Sequence, residues 1–129
     1  LIVVDTHAVV WLTVDQARLS EAALEVITQG RLEGSLAIAD VTLREIAVQV
    51  TRGRITVGSP LDVYLRFIAS MYKVLPISWQ VAERSVQFGA AFPRDPADRL
   101  IGATALVHGA VLVTKDELIR ASGEVNCIW

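Results

Sequence analysis

Leu1-Ile2-Val3-Val4 is a continuous apolar run, mostly β-branched, that stops abruptly at Asp5. A strand without polar alternation is buried on both faces, and a sheet made of such strands must be layered between helices. The rest of the chain supplies the layers. Thr6 onward reads as a short helix. Leu19, Ala22, Ala23, Val26 and Ile27 recur at helical spacing, with Ser20 placed to cap and Gly30 to terminate, and residues 30–34 read as a turn. Leu36-Ala37-Ile38 is a short second strand. Leu43, Ile46, Ala47 and Val50 mark a helix that stops near Arg52-Gly53, and Leu61, Tyr64, Leu65, Ile68, Met71 and Tyr72 mark another. Val74-Leu75 is a weak third strand, followed by a helix from Trp79 to Phe88. Asp95-Pro96 opens a helix carrying Ala97, Leu100, Ile101, Thr104, Val107 and His108. Ala110-Val111-Leu112-Val113 is a fourth buried strand, Glu117 to Arg120 a short helix, and Val125 to Ile128 a fifth strand. The alternation specifies an α/β fold with a parallel sheet covered on both faces. No internal repeat or linker divides it, so residues 1–129 read as one domain.

Composition narrows the function classes. Lys and Arg total 12 against 14 Asp and Glu, a formal charge of −2, so net positive charge cannot be what holds a nucleic acid. A content of 53% hydrophobic residues excludes a disordered tail. The single cysteine, Cys127, excludes an internal disulfide, and with no leader visible a reducing cytoplasm is the expected setting. A few residues are expected to precede Leu1. The longest charge-free stretch, residues 100–114, is broken at Gly102 and Gly109 and is shorter than the roughly 20 apolar residues of a membrane span. The apolar surplus points instead to a surface buried against a second subunit or partner.

In an open parallel sheet, ligands bind beyond the carboxyl ends of the strands. The first strand ends in Asp5 and the fourth runs through Thr114-Lys115 into Asp116. The helix after the second strand carries Glu45 beside its apolar stripe, and the helix feeding the fourth strand begins Asp95-Pro96-Ala97-Asp98. Four or five carboxylates therefore converge on one rim, where ionising them together requires a compensating cation. Hard oxygen donors without cysteine or paired histidine suit Mg²⁺ or Mn²⁺. Each acid also has a local reading. Asp95 before proline is a helix N-cap, and Asp98 fits the acidic third position of a capped first turn. Asp116 is placed to cap the helix after it, and Glu45 to lie on a solvated face or to pair with Arg44 or Gln49. Asp5 has no such reading, because a charge directly after a fully buried strand is costly without a cation or a task.

Other chemistry finds little support. His7 and His108 lack ligand spacing, and His108 extends an apolar stripe as a core histidine would. Cys127 reads as a small hydrophobe in a strand. Gly30 and Gly34 lack the Lys-Ser/Thr ending of a phosphate loop, and no Gly-x-Ser-x-Gly elbow occurs. Trp11, Trp79 and Trp129 read as core or interface residues.

Four segments together resemble a known family. Leu1-Ile2-Val3-Val4-Asp5-Thr6-His7-Ala8, Thr42-Leu43-Arg44-Glu45-Ile46-Ala47, Arg94-Asp95-Pro96-Ala97-Asp98-Arg99-Leu100-Ile101 and Leu112-Val113-Thr114-Lys115-Asp116 look like the PIN domain, and more narrowly like VapC-type toxin ribonucleases of bacterial type II toxin–antitoxin systems. The likeness covers essentially the whole chain. It implies a three-layer α/β/α sandwich with a parallel sheet of four to five strands ordered 3-2-1-4-5. It makes Asp5, Glu45, Asp98 and Asp116 the catalytic acids, with Asp95 as an accessory. Asp5, Asp98 and Asp116 would hold Mg²⁺ or Mn²⁺, and Glu45 would bind metal or orient water. The implied activity is metal-dependent hydrolysis of RNA, leaving a 5′-phosphate and a 3′-hydroxyl. The implied partners are RNA, a cognate antitoxin and a second copy of the chain. Arg44 departs from the large apolar residue often found before the glutamate and brings a cation to the site. Arg44, Arg52, Arg54, Arg94 and Arg99 flank the acidic motifs and are candidates for RNA phosphates. Two competing readings are a phospho-acceptor signalling domain, disfavoured because the acid after the second strand is a helical glutamate, and a catalytically inactive PIN-like module that binds RNA or protein.

Overall fold

The computed structural model describes residues 1–129. Its five strands are β1 (Ile2–Val4), β2 (Leu36–Ala39), β3 (Lys73–Leu75), β4 (Val111–Val113) and β5 (Cys127–Ile128). All neighbours pair in parallel, in the order β3-β2-β1-β4-β5. Parallel neighbours need crossovers, and seven helices supply them: α1 (Thr6–Val14), α2 (Glu21–Glu33), α3 (Asp40–Thr51), α4 (Leu61–Met71), α5 (Trp79–Ser85), α6 (Pro96–Val107) and α7 (Glu117–Ser122). None is long and apolar enough to cross a membrane.

The unbroken apolar strands now have their explanation. Successive side chains point to opposite faces. Val4, Leu36, Ile38 and Val113 enter one core with Val9, Ile27, Ile46, Tyr64 and Ile68. Val3, Ala37, Ala39 and Leu112 enter the other with Val81, Phe92, Ile101, Ala103 and Ile119. The result is the expected α/β/α sandwich. The second face is built of small groups: α6 packs across β1, β2 and β4 and presents Gly102, Ala103 and Ala105. A Cβ on Gly102 would fall 2.8 Å from the Phe92 ring and 3.1 Å from that of Phe88, so the stacked phenylalanines after α5 can lie against α6 only with glycine there. α6 feeds β4 directly and runs back against the strands, so its first turn ends up at their carboxyl ends.

The structure moves some boundaries. Gly30 does not end α2 but lies inside it, where a Cβ would meet Leu36 at 2.7 Å and Ile2 at 2.9 Å. The terminator is Gly34, in the left-handed conformation at φ +67° that glycine adopts without penalty. α5 stops at Ser85, short of Phe88, whose ring instead stacks on Phe92 at 3.8 Å. His108 is not a core residue: it is exposed at the C-cap of α6.

Candidate active site

Pairing of Val4 with Val113 sets the ends of β1 and β4 side by side. Asp5 continues that pairing, its N–H donating to the Val113 carbonyl at 3.0 Å. The residue is only 3% exposed, and both carboxylate oxygens are used. Oδ1 accepts the Thr6 N–H at 2.8 Å and Oδ2 accepts the Thr114 hydroxyl at 2.7 Å. Thr114 Oγ1 in turn accepts the Asp116 N–H at 3.0 Å. Asp116 Oδ1 accepts from Ile119 N–H at 2.9 Å and so caps α7, as the local reading proposed. Asp5, Thr114 and Asp116 thus form one hydrogen-bonded unit across two strands.

The remaining acids arrive on helices. Glu45 projects from α3, and the Thr6 hydroxyl donates to its Oε1 at 2.6 Å. Thr6 has one hydroxyl proton, so the 3.1 Å contact with the fully buried Thr42 must have Thr42 as donor. Burial raises the Glu45 pKa, the Thr6 hydrogen bond opposes it, and Asp5 and Asp95 raise it further. On α6, Asp95 caps the helix by accepting the Asp98 N–H at 3.2 Å, with Pro96 as the first helical residue. The Asp98 carboxyl is pushed up to about 7, first by burial and then by the charges of Asp5, Asp95, Asp116 and Glu45. Neither a hydrogen-bond donor nor a positive side chain offsets this. Asp5, Asp95, Asp116 and Glu45 are thus all near enough to Asp98 for their charges to act on it. Their side chains are spread: no three His, Cys, Asp or Glu groups are gathered closely enough to close on a metal ion. The donor chemistry nonetheless suits a hard divalent cation, being all carboxylate with an excess of negative charge.

A crevice of ≈ 310 Å³ lies beside the acids and includes Arg44, Glu45, Arg52, Arg54 and Asp95 in its lining. Arg99 is committed elsewhere: Nε donates to the Pro93 carbonyl at 2.8 Å and Nη1 to that of Phe88 at 3.3 Å, fastening the loop before α6.

A five-stranded 3-2-1-4-5 sheet with acids at the ends of β1 and β4 is an arrangement for comparison with known proteins. The model of the PIN domain matches residues 2–124. The chain belongs to the PIN domain family. It is 36% identical over 120 residues to Ribonuclease VapC22 of Mycobacterium tuberculosis, covering 93% of this chain and 90% of that one. Its fold is similar to VapBC2 of Rickettsia felis bound to a DNA fragment from the promoter (TM-score 0.71, 14% identity, 98% and 96% of the two chains). It is also similar to a toxin–antitoxin complex from Klebsiella pneumoniae (TM-score 0.66, 21% identity, 100% and 97%).

Two groups of site residues in this PIN domain escaped the sequence reading. The first is the set of hydroxyls, Thr6, Thr42 and Thr114, which fix the carboxylates. The only local signal is that Thr6 and Thr114 flank the two strand-end acids. The second is His7 with its neighbours. Nε2 of His7 accepts the Lys115 N–H at 2.9 Å, so the neutral ring keeps its proton on Nδ1, which faces Asp5 Oδ2 at 3.6 Å. Burial lowers the His7 pKa, against the pull of Asp5 and Asp116. Trp11 and Trp129 pack around this ring at centroid distances of 5.0 and 5.9 Å. Trp79, by contrast, stands 73% exposed on α5, far from a core role.

Proposed function

We propose that this PIN domain is a VapC-type ribonuclease, the toxin of a toxin–antitoxin pair, which hydrolyses RNA phosphodiester bonds with Mg²⁺ or Mn²⁺. The observation that carries the reading is Asp98: a half-buried carboxylate on the first turn of α6 that no side-chain or backbone donor satisfies and that feels the charges of four other acids. A structural helix acid has no reason to be placed there, whereas a ligand does.

Asp5, Asp98 and Asp116 would hold the cation. Bound there, it supplies activation of water and neutralises charge developing on the phosphate. Thr114 and the Thr6 amide keep Asp5 in one orientation, so the unit is set before a cation arrives. Glu45 has Oε1 tied to Thr6, which leaves Oε2 to orient the attacking water and take its proton. The upward shift from burial makes Glu45 a stronger base than a solvated glutamate. Arg44, Arg52 and Arg54 would receive backbone phosphates along the crevice, and Arg99, held by carbonyls, would not. Affinity for RNA then falls with salt although the chain is net acidic.

A small antitoxin, a homodimer and a cytoplasmic setting complete the proposal. The toxin–antitoxin complexes among proteins of this fold support the first, and exposed apolar residues such as Val63 and Phe67 on α4 support a covered surface. Co-expression pull-down and light scattering test them. A lone monomer that captures no partner would defeat both.

The central test is cleavage of total RNA by partner-free protein with Mg²⁺, Mn²⁺ or EDTA, beside Asp98→Asn. The expected result is discrete metal-dependent fragments and a loss of at least ~10²-fold in the variant. No cleavage with any metal, together with no Mn²⁺ binding, would leave an inactive binding module.

A further inference from the structure

A second cleft of ≈ 400 Å³, sharing no residue with the arginine crevice, is lined by His7, Trp11, Lys115, Asp116 and Glu117. Asp116 belongs to both the acid cluster and this cleft, so whatever occupies the cleft is next to the reaction centre. Its wall is aromatic. Trp11 and Trp129 meet edge-on at 6.0 Å, and both pack on His7. Two cations are held on Trp11, Lys115 within the cleft lining and Arg18 outside it. The Arg18 guanidinium lies 4.2 Å from the Trp11 ring centre, and the Lys115 ammonium 5.4 Å from it.

Neither cation is paired with a carboxylate, although Asp15, Asp116 and Glu117 are all close in sequence. Two mobile cations are thereby given fixed positions by aromatic faces, which do not neutralise them as carboxylates would. The loop is also fixed, because His7 takes the Lys115 amide as its hydrogen-bond partner. A rigid wall of rings and planar cation with unpaired charge is what an unpaired nucleotide requires: flat groups, aromatic or guanidinium, for the base and positive charge for the phosphate. The cleft volume lies in the range of small-ligand sites.

We infer that this cleft is a subsite for one unpaired nucleotide of the RNA adjoining the scissile bond, with its base against His7 and Trp11 and its phosphate on Lys115 and Arg18. The inference rests on the ribonuclease reading and assigns this side of the site to a single-stranded segment. Lys115 and Arg18 are binding residues, and Trp11 both positions them and carries the base.

The test measures binding in an Asp98→Asn background, which prevents turnover, with Trp79→Phe added to remove the exposed tryptophan. The probe is a short mixed-sequence single-stranded oligoribonucleotide. Lys115→Gln and Arg18→Gln, both surface changes, should each weaken binding about five- to tenfold and lower the salt slope by about one. Tryptophan fluorescence should be quenched by the oligonucleotide and not by an abasic chain of equal length. Trp11→Phe, which keeps an aromatic ring and so protects the fold, should retain part of the affinity and lose most of the quenching. Unchanged affinity in both cation variants, equal quenching by the abasic chain, or tighter Lys115-dependent binding of a polyglutamate peptide would each overturn the assignment. Wild-type cleavage read in parallel separates the two claims. RNA cut normally by Lys115→Gln and Arg18→Gln leaves the ribonuclease and removes the subsite. Lys115-dependent RNA binding without any cleavage removes the ribonuclease and leaves the subsite as a binding surface.

Discussion

Asp5 and Asp98 lie near enough for the charge of one to act on the other, yet the fold treats them oppositely. Asp5, at the end of the central strand, is almost inaccessible and has a donor for each oxygen. Asp98, on the first turn of α6, is more open and has none, so its carboxyl bears the repulsion of the whole cluster. The strand side of the site is finished in the absence of a cation, and the helix side is left incomplete. A carboxylate whose orientation the fold sets in advance and one left free until a ligand arrives can therefore be told apart by their hydrogen bonds, even when both are acids in the same site.

Stability measurements can break this contrast. The largest effect is expected for Asp5→Ala, which strands the Thr114 hydroxyl and the Thr6 amide. Denaturant unfolding of the metal-free protein should show a loss of about 2–4 kcal/mol. Asp98→Asn should act the other way, stabilising the metal-free protein at pH 8 by about 1–2 kcal/mol once solvent screening at this half-open position is allowed for. A loss of stability in that variant would mean that Asp98, like Asp5, is held by the fold before any cation arrives. Added Mn²⁺ should then raise the melting temperature of the wild type more than that of the variant.

The pH dependence sharpens the same point. Folding holds the Asp98 proton up to about 7, whereas an unfolded aspartate releases it near 3.8. Between those values the folded state binds the extra proton, so this residue's contribution to stability falls as pH rises through the window. Urea midpoints of wild type minus Asp98→Asn, measured from pH 4 to 8, should trace that decline, and a flat difference would contradict it. The smallest expected effect is Thr6→Val. It frees Glu45 Oε1 and breaks the link to Thr42, costing about 1 kcal/mol in stability and roughly tenfold in cleavage rate. An unaltered rate would show that Glu45 needs no positioning.

Much of this was legible from the letters, for a physical reason. Strands buried on both faces cannot tolerate polar residues, so Leu1–Val4 and Ala110–Val113 announced themselves, and the acids directly after them had to lie at the sheet's carboxyl edge. Asp95-Pro96 announced a helix start for equally local reasons. What stayed hidden depends on distant parts of the chain. Gly30 resembles a terminator until Ile2 and Leu36 are seen packed against it. Threonine is ordinary in strands and helices, so nothing in the sequence marked Thr6 and Thr114 as the hydroxyls that hold Asp5 and Glu45. His7 and Trp11 are neighbours one turn apart on α1, but Trp129 is separated from them by most of the chain and meets them only because β5 lies beside β4.

The strand order also sets when the site can exist during synthesis. β1 is made first and sits at the centre, but its partner β4 and the Thr114 hydroxyl that locks Asp5 come 109 residues later. A ribosome-bound or truncated chain that lacks the last fifth of the sequence has a central strand with one flank open, no Asp116, and an Asp5 without the Thr114 hydroxyl that anchors it. Closing so long a loop is entropically slow, so the hydrolytic centre forms among the last events of folding. For a toxic nuclease this timing has a practical benefit: an unfinished copy is harmless to the cell that is making it.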